Sequence, residues 1–377
     1  MPTSRQKPVP VLLMVRELGH GGSERQVAEM AKSLDRSRFT PHVGCFAEGT
    51  RAAEVRAAGV PILVLPVRSF RSASALRGAR QMGRYIRDHR IQIVHSYDWP
   101  LNTFAPPVAR FYRVPVVLTS QRSHRDLRTP MMRNVLRLSD RMANGVVVNC
   151  ESIRQHLIED EGVPPAKVHL CYNGIDLDRF PAGPRQRPTE LTGASVVIGV
   201  VAVLRPEKSV TTLVEAFARI APAHPGAHLL IVGSGPMSKP LAELASQRGI
   251  SAQCHFQPST AEVTPWLRAI DIFVLPSLSE AFSNSIMEAM ACGCCVIASR
   301  VGGNPELVIE GETGLLFEKA NAADLAGQLA LLIEDEGLRQ RLAENGTRRI
   351  QEQFSLAASA NRMGEIYDGV LDARSEM

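Results

Sequence analysis

The sequence has few aromatic residues, no long apolar run and little clustering of cysteine. Aromatic residues make up 5% of the 377 residues, and no stacking or groove-reading motif accompanies them, which argues against nucleic-acid recognition. No run approaches the about 18 apolar residues that a transmembrane helix needs. The seven cysteines include one cluster, Cys292-Gly293-Cys294-Cys295, without a histidine or second pair beside it. We therefore expect reduced structural thiols in a cytoplasmic compartment rather than a metal site.

Positive charge is abundant in the first half of the sequence. Residues 1–185 contain 28 Lys and Arg against 16 Asp and Glu, whereas the remainder contains 15 against 22. Two segments place arginines at helical spacing beside apolar residues; they carry Arg77, Arg80, Arg84 and Arg87, and Arg128, Arg133, Arg137 and Arg141. Such basic amphipathic helices fit an anionic membrane surface. A solvated arginine face on a core-packed helix explains the same pattern.

The length of the chain favours two domains. Short apolar runs alternate with helical patterns, and this βαβ order with near-continuous apolar strands predicts parallel sheets covered on both faces. Seven strands are predicted before the Pro- and Arg-rich segment 181–188 and six after it. We therefore predict an α/β protein with two doubly wound, Rossmann-like domains, 1–185 and 186–355, facing each other across a ligand cleft.

The segment from Glu280 to Glu288 places two carboxylates across a predicted loop-to-helix junction. An apolar run ends just before it, so Glu280 is expected in the loop at the carboxyl end of a strand and Glu288 in the first turns of a helix. Ligands bind at that edge of an open α/β sheet. A carboxylate there accepts hydrogen bonds from sugar or ribose hydroxyls, and a helix N-terminus binds phosphate. Alternatively, Ser285 and Glu288 form a capping box without a ligand.

Residues 275–317 resemble the carboxyl-terminal signature of the family 4 retaining glycosyltransferases, which have the two-domain GT-B architecture. Five further segments extend the resemblance in the same order along nearly the whole chain: Gly21–Arg25, Val147–Ser152, Tyr172–Asp176, Leu204–Lys208 and Ile231–Pro236. The resemblance implies a GT-B fold in which the last helix, from about residue 356 to 377, packs back on the first domain.

The resemblance also implies the reaction and the donor site. A sugar would pass from a nucleotide-diphosphate sugar to a hydroxyl with retained configuration, and neither a metal ion nor a cofactor is expected. Glu288 would bind ribose hydroxyls and Glu280 the transferred sugar. Backbone amides would bind the sugar and diphosphate; they belong to Phe282, Ser283, Asn284 and Ser285. Gly21 and Gly22 would touch the diphosphate, and Ser23 can cap the next helix, although the local pattern taken alone favours an ordinary turn.

Two cations are predicted to neutralise the leaving diphosphate. Arg205 and Lys208 follow the predicted strand 196–204, and cations at that edge stabilise developing negative charge. Many family members carry the arginine five positions before the lysine, where this chain has Val203. Arg205 either takes over this role or the site lacks one phosphate contact. A second departure is Ala281, where relatives have glycine.

The acceptor side matches the family pattern less closely. Many relatives have a histidine where this chain has Gln121, directly after a predicted strand. The acceptor-side candidates are His95, Arg122 and His124, and the sequence does not choose between them. The expected acceptor is a cell-envelope glycan or lipid-linked molecule, met by a cytoplasmic enzyme that is peripheral at the inner face of the membrane.

Two other functions fit the same fold. One is a nucleotide-sugar-modifying enzyme, such as an epimerase. The other is a nucleotide-sugar binding protein with a degenerate site, since Val203, Ala281 and Gln121 all depart from the family pattern.

Overall fold

The computed structural model describes residues 7–19, 21–125 and 129–375. Arg128, and residues 376 and 377 of the predicted last helix, lie outside these ranges. The described residues form two compact units: the first runs up to Gly174 and resumes at Leu356, and the second is Ile175–Ser355. This division precedes the predicted boundary at residue 185 because the intervening segment bonds to the second unit. The Ile175 amide donates to the Phe354 carbonyl at 2.9 Å, and Arg179 donates to the Ala261 carbonyl at 3.2 Å.

The first unit contains a seven-stranded parallel sheet of order β3-β2-β1-β4-β5-β6-β7. Its strands are β1 (Val9–Met14), β2 (Phe39–Cys45), β3 (Ile62–Val64), β4 (Ile93–Ser96), β5 (Val116–Gln121), β6 (Gly145–Val148) and β7 (Val168–Leu170). The helices between them are α1 (Gly22–Ser33), α2 (Ala52–Ala57), α3 (Ala73–Asp88), α4 (Trp99–Phe111), α5 (Pro130–Met142) and α6 (Glu151–Glu159). The seven predicted strands are therefore confirmed, with boundaries shifted by up to three residues.

The second unit contains a six-stranded parallel sheet of order β10-β9-β8-β11-β12-β13. Its strands are β8 (Val196–Val201), β9 (Ala227–Val232), β10 (Cys254–Gln257), β11 (Ile272–Leu275), β12 (Cys295–Ser299) and β13 (Leu315–Phe317). Its helices are α7 (Val210–Ile220), α8 (Ser238–Gln247), α9 (Thr264–Leu267), α10 (Asn284–Ala291), α11 (Asn304–Leu307), α12 (Ala322–Glu334) and α13 (Glu336–Gln353). The predicted α/β class with two doubly wound sheets is confirmed.

The last helix, α14 (Leu356–Ser375), belongs to the first unit and packs beside α1. Its residues Met363 and Tyr367 lie in the same apolar core as Val11, Leu13 and Phe39. The chain thus returns to its first sheet after completing the second. Among the described residues, no helix is both long and apolar enough to cross a bilayer.

The helices of the first unit form two layers. The crossovers from β1 through β2 to β3 run in one direction along the sheet, and those from β3 to β4 and onward run in the other. Because such crossovers are right-handed, the two sets of helices cover opposite faces. Helices α1 and α2 share one face with α14, whereas α3, α4 and α5 are successive neighbours on the other, which α6 continues.

Candidate active site

Each sheet reverses its strand order at one place, between β1 and β4 in the first and between β8 and β11 in the second. The loops that follow the two strands at such a point diverge and leave a crevice at the carboxyl ends, where open α/β sheets bind ligands. The predicted cations follow β8 and the predicted carboxylate loop follows β11. The sequence therefore placed both groups at the crevice of the second sheet.

An ion pair between Lys208 and Glu280 connects the two loops of the second crevice. The Ser277 hydroxyl donates to the same carboxylate oxygen of Glu280 at 2.6 Å. The backbone adds a further contact, because the Leu278 amide donates to the Glu207 carbonyl at 2.9 Å. The carboxylate is consequently held in one orientation by partners from both loops.

The glycine loop after β12 fixes the backbone of the Glu280 loop. Gly302 has φ +51°, and a Cβ at this position would lie 1.8 Å from the Glu280 carbonyl oxygen. The Gly303 amide donates to the Ala281 carbonyl at 2.7 Å. Ala281 itself is not among the residues with positive φ, so the alanine that replaces the usual glycine adopts its conformation without strain.

Helix α10 begins next to Glu280 and corrects the capping-box interpretation. Its N-cap is Ser283, whose hydroxyl accepts from the Ile286 amide, and Ser285 lies inside the helix. Glu288 is then the fifth helical residue, too far along for a capping box, and its side chain is 8% exposed. The Phe282 ring packs on Phe354 with centroids 5.4 Å apart. The first amides of α10 have no acceptor within the helix, so the segment from Phe282 to Ser285 can present backbone donors to an anion.

The two predicted cations have different surroundings. Lys208 contacts Glu280, whereas the Arg205 side chain is 61% exposed and its guanidinium lies 3.8 Å from Glu207. Val203, at the usual arginine position, is itself exposed. Among the described residues, the structure thus brings Lys208 and not Arg205 to the Glu280 carboxylate.

The glycine loop of the first crevice differs in one detail from the prediction. Gly21 is the N-cap of α1, which begins at Gly22, so Ser23 lies within the helix and does not cap it. A Cβ on Gly21 would lie 2.1 Å from the Glu24 carboxylate. A side chain at position 21 would therefore require the Glu24 carboxylate to move away from the start of α1.

Asp98 occupies the first crevice and was not among the predicted site residues. It follows β4, accepts a hydrogen bond from the Arg16 amide at 2.7 Å, and caps α4 through the Leu101 amide at 3.1 Å. Burial, and to a lesser extent the charge of Glu24, raise the pKa of Asp98 to about 6 in spite of these bonds. A carboxylate directly after a central strand was the signal that sequence reasoning passed over.

Comparison with known proteins identifies the family. The family model described as "Glycosyl transferases group 1" matches residues 185–349, and the model described as "Glycosyltransferase Family 4" matches residues 20–179. A D-inositol 3-phosphate glycosyltransferase from Jonesia denitrificans is 30% identical, with 77% of this chain and 73% of the relative aligned. The chain belongs to glycosyltransferase family 4.

Further similarities fit this glycosyltransferase family. A glycogen synthase from Mycobacterium tuberculosis is 28% identical over 74% of this chain and 69% of the relative. The crystal structure of Anabaena HepE in complex with UDP-glucose superimposes with a TM-score of 0.81 at 21% identity, covering 96% of this chain and 99% of HepE. The latter supports the GT-B fold of this glycosyltransferase.

Of the three acceptor-side candidates in this glycosyltransferase, His95 lies in the interior and not at the surface where an acceptor would bind. Its side chain is fully buried, and its ring nitrogens lie 2.9 Å from the Tyr367 hydroxyl and 2.8 Å from the Ser120 hydroxyl. Burial lowers the pKa of His95 to about 3. His95 therefore connects the sheet to α14 and has no free nitrogen for an acceptor.

The other two candidates lie after β5. Arg122 donates to the Asn173 side chain at 2.8 Å and lies over the Tyr97 ring at 5.1 Å, and burial lowers the pKa of its guanidinium. His124 packs against the His156 ring, with centroids 4.9 Å apart. Arg122 therefore lies at the carboxyl ends of β4 and β5, bound by partners of the first unit. Within the described ranges, no three potential metal ligands cluster.

Proposed function

We propose that this glycosyltransferase transfers a sugar, with retained configuration, from a nucleoside-diphosphate sugar to a hydroxyl of a cell-envelope glycan or lipid-linked acceptor. The contact between Lys208 and Glu280 carries this proposal. It places a cation and a fixed carboxylate together at the crevice of the second sheet, beside the first turn of α10. A diphosphate and the sugar attached to it need these two kinds of group as neighbours.

Each group at this crevice has a distinct role in the proposed reaction. Glu280 accepts hydrogen bonds from the hydroxyls of the transferred sugar, and the buried Glu288 accepts them from the ribose. Lys208 and the first amides of α10 stabilise the negative charge that grows on the leaving diphosphate. A phosphate oxygen of the leaving group takes the proton of the attacking hydroxyl, so the reaction needs neither a metal ion nor a second catalytic carboxylate.

The donor and the acceptor are proposed at different levels of detail. Uridine diphosphate is the proposed nucleotide, with support from the structural similarity to HepE, which was crystallised with UDP-glucose. Arg122 and Asp98, at the carboxyl edge of the first sheet, are the proposed acceptor contacts. The acceptor is met at the inner face of a membrane, where the enzyme is peripherally bound.

Nucleotide binding tests the donor site directly. The melting temperature is measured with UDP, GDP and ADP for the wild type and for Glu288→Ala, with the exposed Glu344→Ala as a matched control. A ligand that binds the native state raises the melting temperature by mass action. We expect stabilisation by UDP in the wild type and the control and loss of it in Glu288→Ala. Equal stabilisation of all three proteins would exclude Glu288 from the donor site.

A further inference from the structure

The two helix layers of the first unit differ in charge. Helices α3, α4 and α5 carry eight arginines and two aspartates, whereas α1, α2 and α14 on the opposite face carry five basic and six acidic residues. The eight arginines are Arg77, Arg80, Arg84, Arg87, Arg110, Arg133, Arg137 and Arg141. Helix α6, at the end of the same layer, carries one arginine and two glutamates and adds no net positive charge. The positive charge of these helices is therefore concentrated on one face of the sheet.

Helix α3 supplies positive charge that its neighbours do not neutralise. Its four arginines, spaced over Arg77–Arg87, are all exposed, and in the part of the chain that the structure describes none of them forms an ion pair. On α5, by contrast, Arg133 and Arg137 pair with Glu161 at 2.7 and 2.8 Å. Arg77, Arg80 and Arg84 are thus available to an external anion, whereas Arg87 lies over the Tyr112 ring at 5.1 Å.

Large apolar side chains are exposed on the same layer. Met131, Val135 and Leu138 are spaced four and three residues apart, which puts them on one side of α5, and Met131 is 72% exposed. Leu76 on α3 and Phe111 on α4 are also exposed, Phe111 to 80%. Among the described residues of α1, α2 and α14, no large apolar side chain is exposed to this degree.

We propose that the surface formed by α3, α4 and α5 docks the enzyme on an anionic lipid bilayer. The arginines of α3 lie against the lipid headgroups, and Met131, Leu138, Leu76 and Phe111 enter the interface. Basic helices with exposed apolar residues bind anionic membranes in this way. An enzyme docked in this way would meet the proposed lipid-linked acceptor at the bilayer surface, and this part of the inference rests on the proposed function.

The exposed apolar residues favour a bilayer over a nucleic acid as the partner of this surface. A nucleic acid offers phosphates to the arginines, but its backbone has no apolar layer in which Met131, Val135 and Leu138 could be buried. Aromatic residues that stack on bases are expected on a surface that binds single strands, whereas this one presents mainly aliphatic side chains. A bilayer satisfies both the charge and the apolar residues.

Vesicle flotation of the full-length enzyme tests the proposal. Vesicles of phosphatidylcholine alone are compared with vesicles containing about 30% phosphatidylglycerol, at about 50 and about 500 mM salt, since salt screens exposed charges. The first variant is Arg77→Gln/Arg80→Gln/Arg84→Gln, and the second is Met131→Ser/Leu138→Ser. The control, Arg219→Gln/Arg341→Gln/Arg348→Gln, removes the same charge from exposed positions of the second unit. UDP stabilisation, measured on each protein, reports the donor site separately.

We expect salt-sensitive binding to the anionic vesicles only. The α3 variant should lose about a hundredfold in affinity, because each of the three arginines it lacks contributes about a factor of five near such a surface. The α5 variant should bind more weakly than the wild type, and the control should bind as the wild type does.

Absence of binding to anionic vesicles would overturn the proposal, as would equal losses in the α3 variant and the control. Binding of duplex DNA in preference to vesicles would also overturn it. If UDP did not stabilise the enzyme but binding to anionic vesicles followed the expected pattern, the proposed function would be contradicted and the docking surface would not.

Discussion

Lys208 and Glu280 lie 72 residues apart in the chain and form an ion pair across the point where the strand order of the second sheet reverses. The pair connects the loop after β8 to the loop after β11, and Ser277 holds the same carboxylate from the second loop. The sequence suggested two separate features, a cation and a carboxylate after neighbouring strands, and the structure brings them into direct contact.

Replacing Lys208 should impair the chemical step more than it impairs folding. In Lys208→Ala the leaving diphosphate loses its nearest cation, and removal of one such preorganised group typically lowers kcat by about a hundredfold to a thousandfold. Steady-state kinetics with a nucleotide-sugar donor measure the effect. Arg205→Ala is the control, because its exposed side chain contacts Glu207 and not Glu280. Equal losses in the two variants would show that Arg205 also contacts the diphosphate.

A methyl group at Gly302 should displace the Glu280 loop. The added Cβ would lie 1.8 Å from the Glu280 carbonyl oxygen, and φ is +51°, so Gly302→Ala must move the backbone that orients the carboxylate. We expect lower kcat together with a lower melting temperature. Gly327→Ala is the matched control, since a Cβ at Gly327, within α12, meets no atom within 4 Å and alanine favours helix by about 1 kcal/mol. Wild-type kinetics in Gly302→Ala would contradict the positioning role of this glycine.

Removal of divalent metal ions should leave the activity unchanged. In the proposed reaction Lys208 and the first turn of α10 carry out the charge neutralisation that a metal ion performs in other transferases. Initial rates are compared after exhaustive treatment with EDTA and after addition of magnesium or manganese. A rate that falls on chelation and returns with one of the ions would show that the diphosphate is bound through a metal.

Acid should destabilise the first unit through His95. Burial lowers the pKa of this histidine to about 3 from an ordinary value of 6.5. Below pH 6.5 the unfolded chain therefore binds a proton at this residue that the folded chain does not, and the contribution of His95 to stability falls by about 1.4 kcal/mol per pH unit until the folded pKa is reached. Above pH 6.5 His95 contributes no pH dependence. His42, whose pKa burial lowers to about 4, adds a second contribution of the same sign.

Calorimetry of His95→Gln between pH 7 and pH 4 measures this effect. The variant should be less stable than the wild type at pH 7, because the two hydrogen bonds of the imidazole are altered. Its melting temperature should then fall less steeply as the pH decreases, by the contribution of one proton. His224→Gln, in the second unit, serves as the control. Parallel curves for His95→Gln and the wild type would contradict the neutral, buried state of His95.

The sequence predicted the sheets well because parallel strands buried on both faces are continuous apolar runs. It also located Glu280 and Lys208, since position after a strand is readable from the chain alone. The start of α10 was less predictable: Ser283, Asn284 and Ser285 are all good caps, and only the backbone shows that Ser283 is the one used. Boundaries of this kind depend on local geometry that several residues satisfy.

The acceptor side was predictable only in outline, because burial there depends on distant parts of the chain. His95 is buried under Tyr367, which is 272 residues away in the sequence. The raised pKa of Asp98 likewise arises from burial, which outweighs the hydrogen bond that the Arg16 amide donates from the loop after β1. Neither effect can be predicted from the residues that surround His95 or Asp98 in sequence.

A crystal structure with UDP bound tests the proposed donor site. We expect the diphosphate to lie between the loops after β8 and β11, within hydrogen-bonding distance of Lys208 and the first amides of α10. We also expect the ribose hydroxyls to donate to Glu288. UDP bound at any other place, or bound in this crevice with Glu288 and Lys208 out of reach, would show that these residues do not form the donor site.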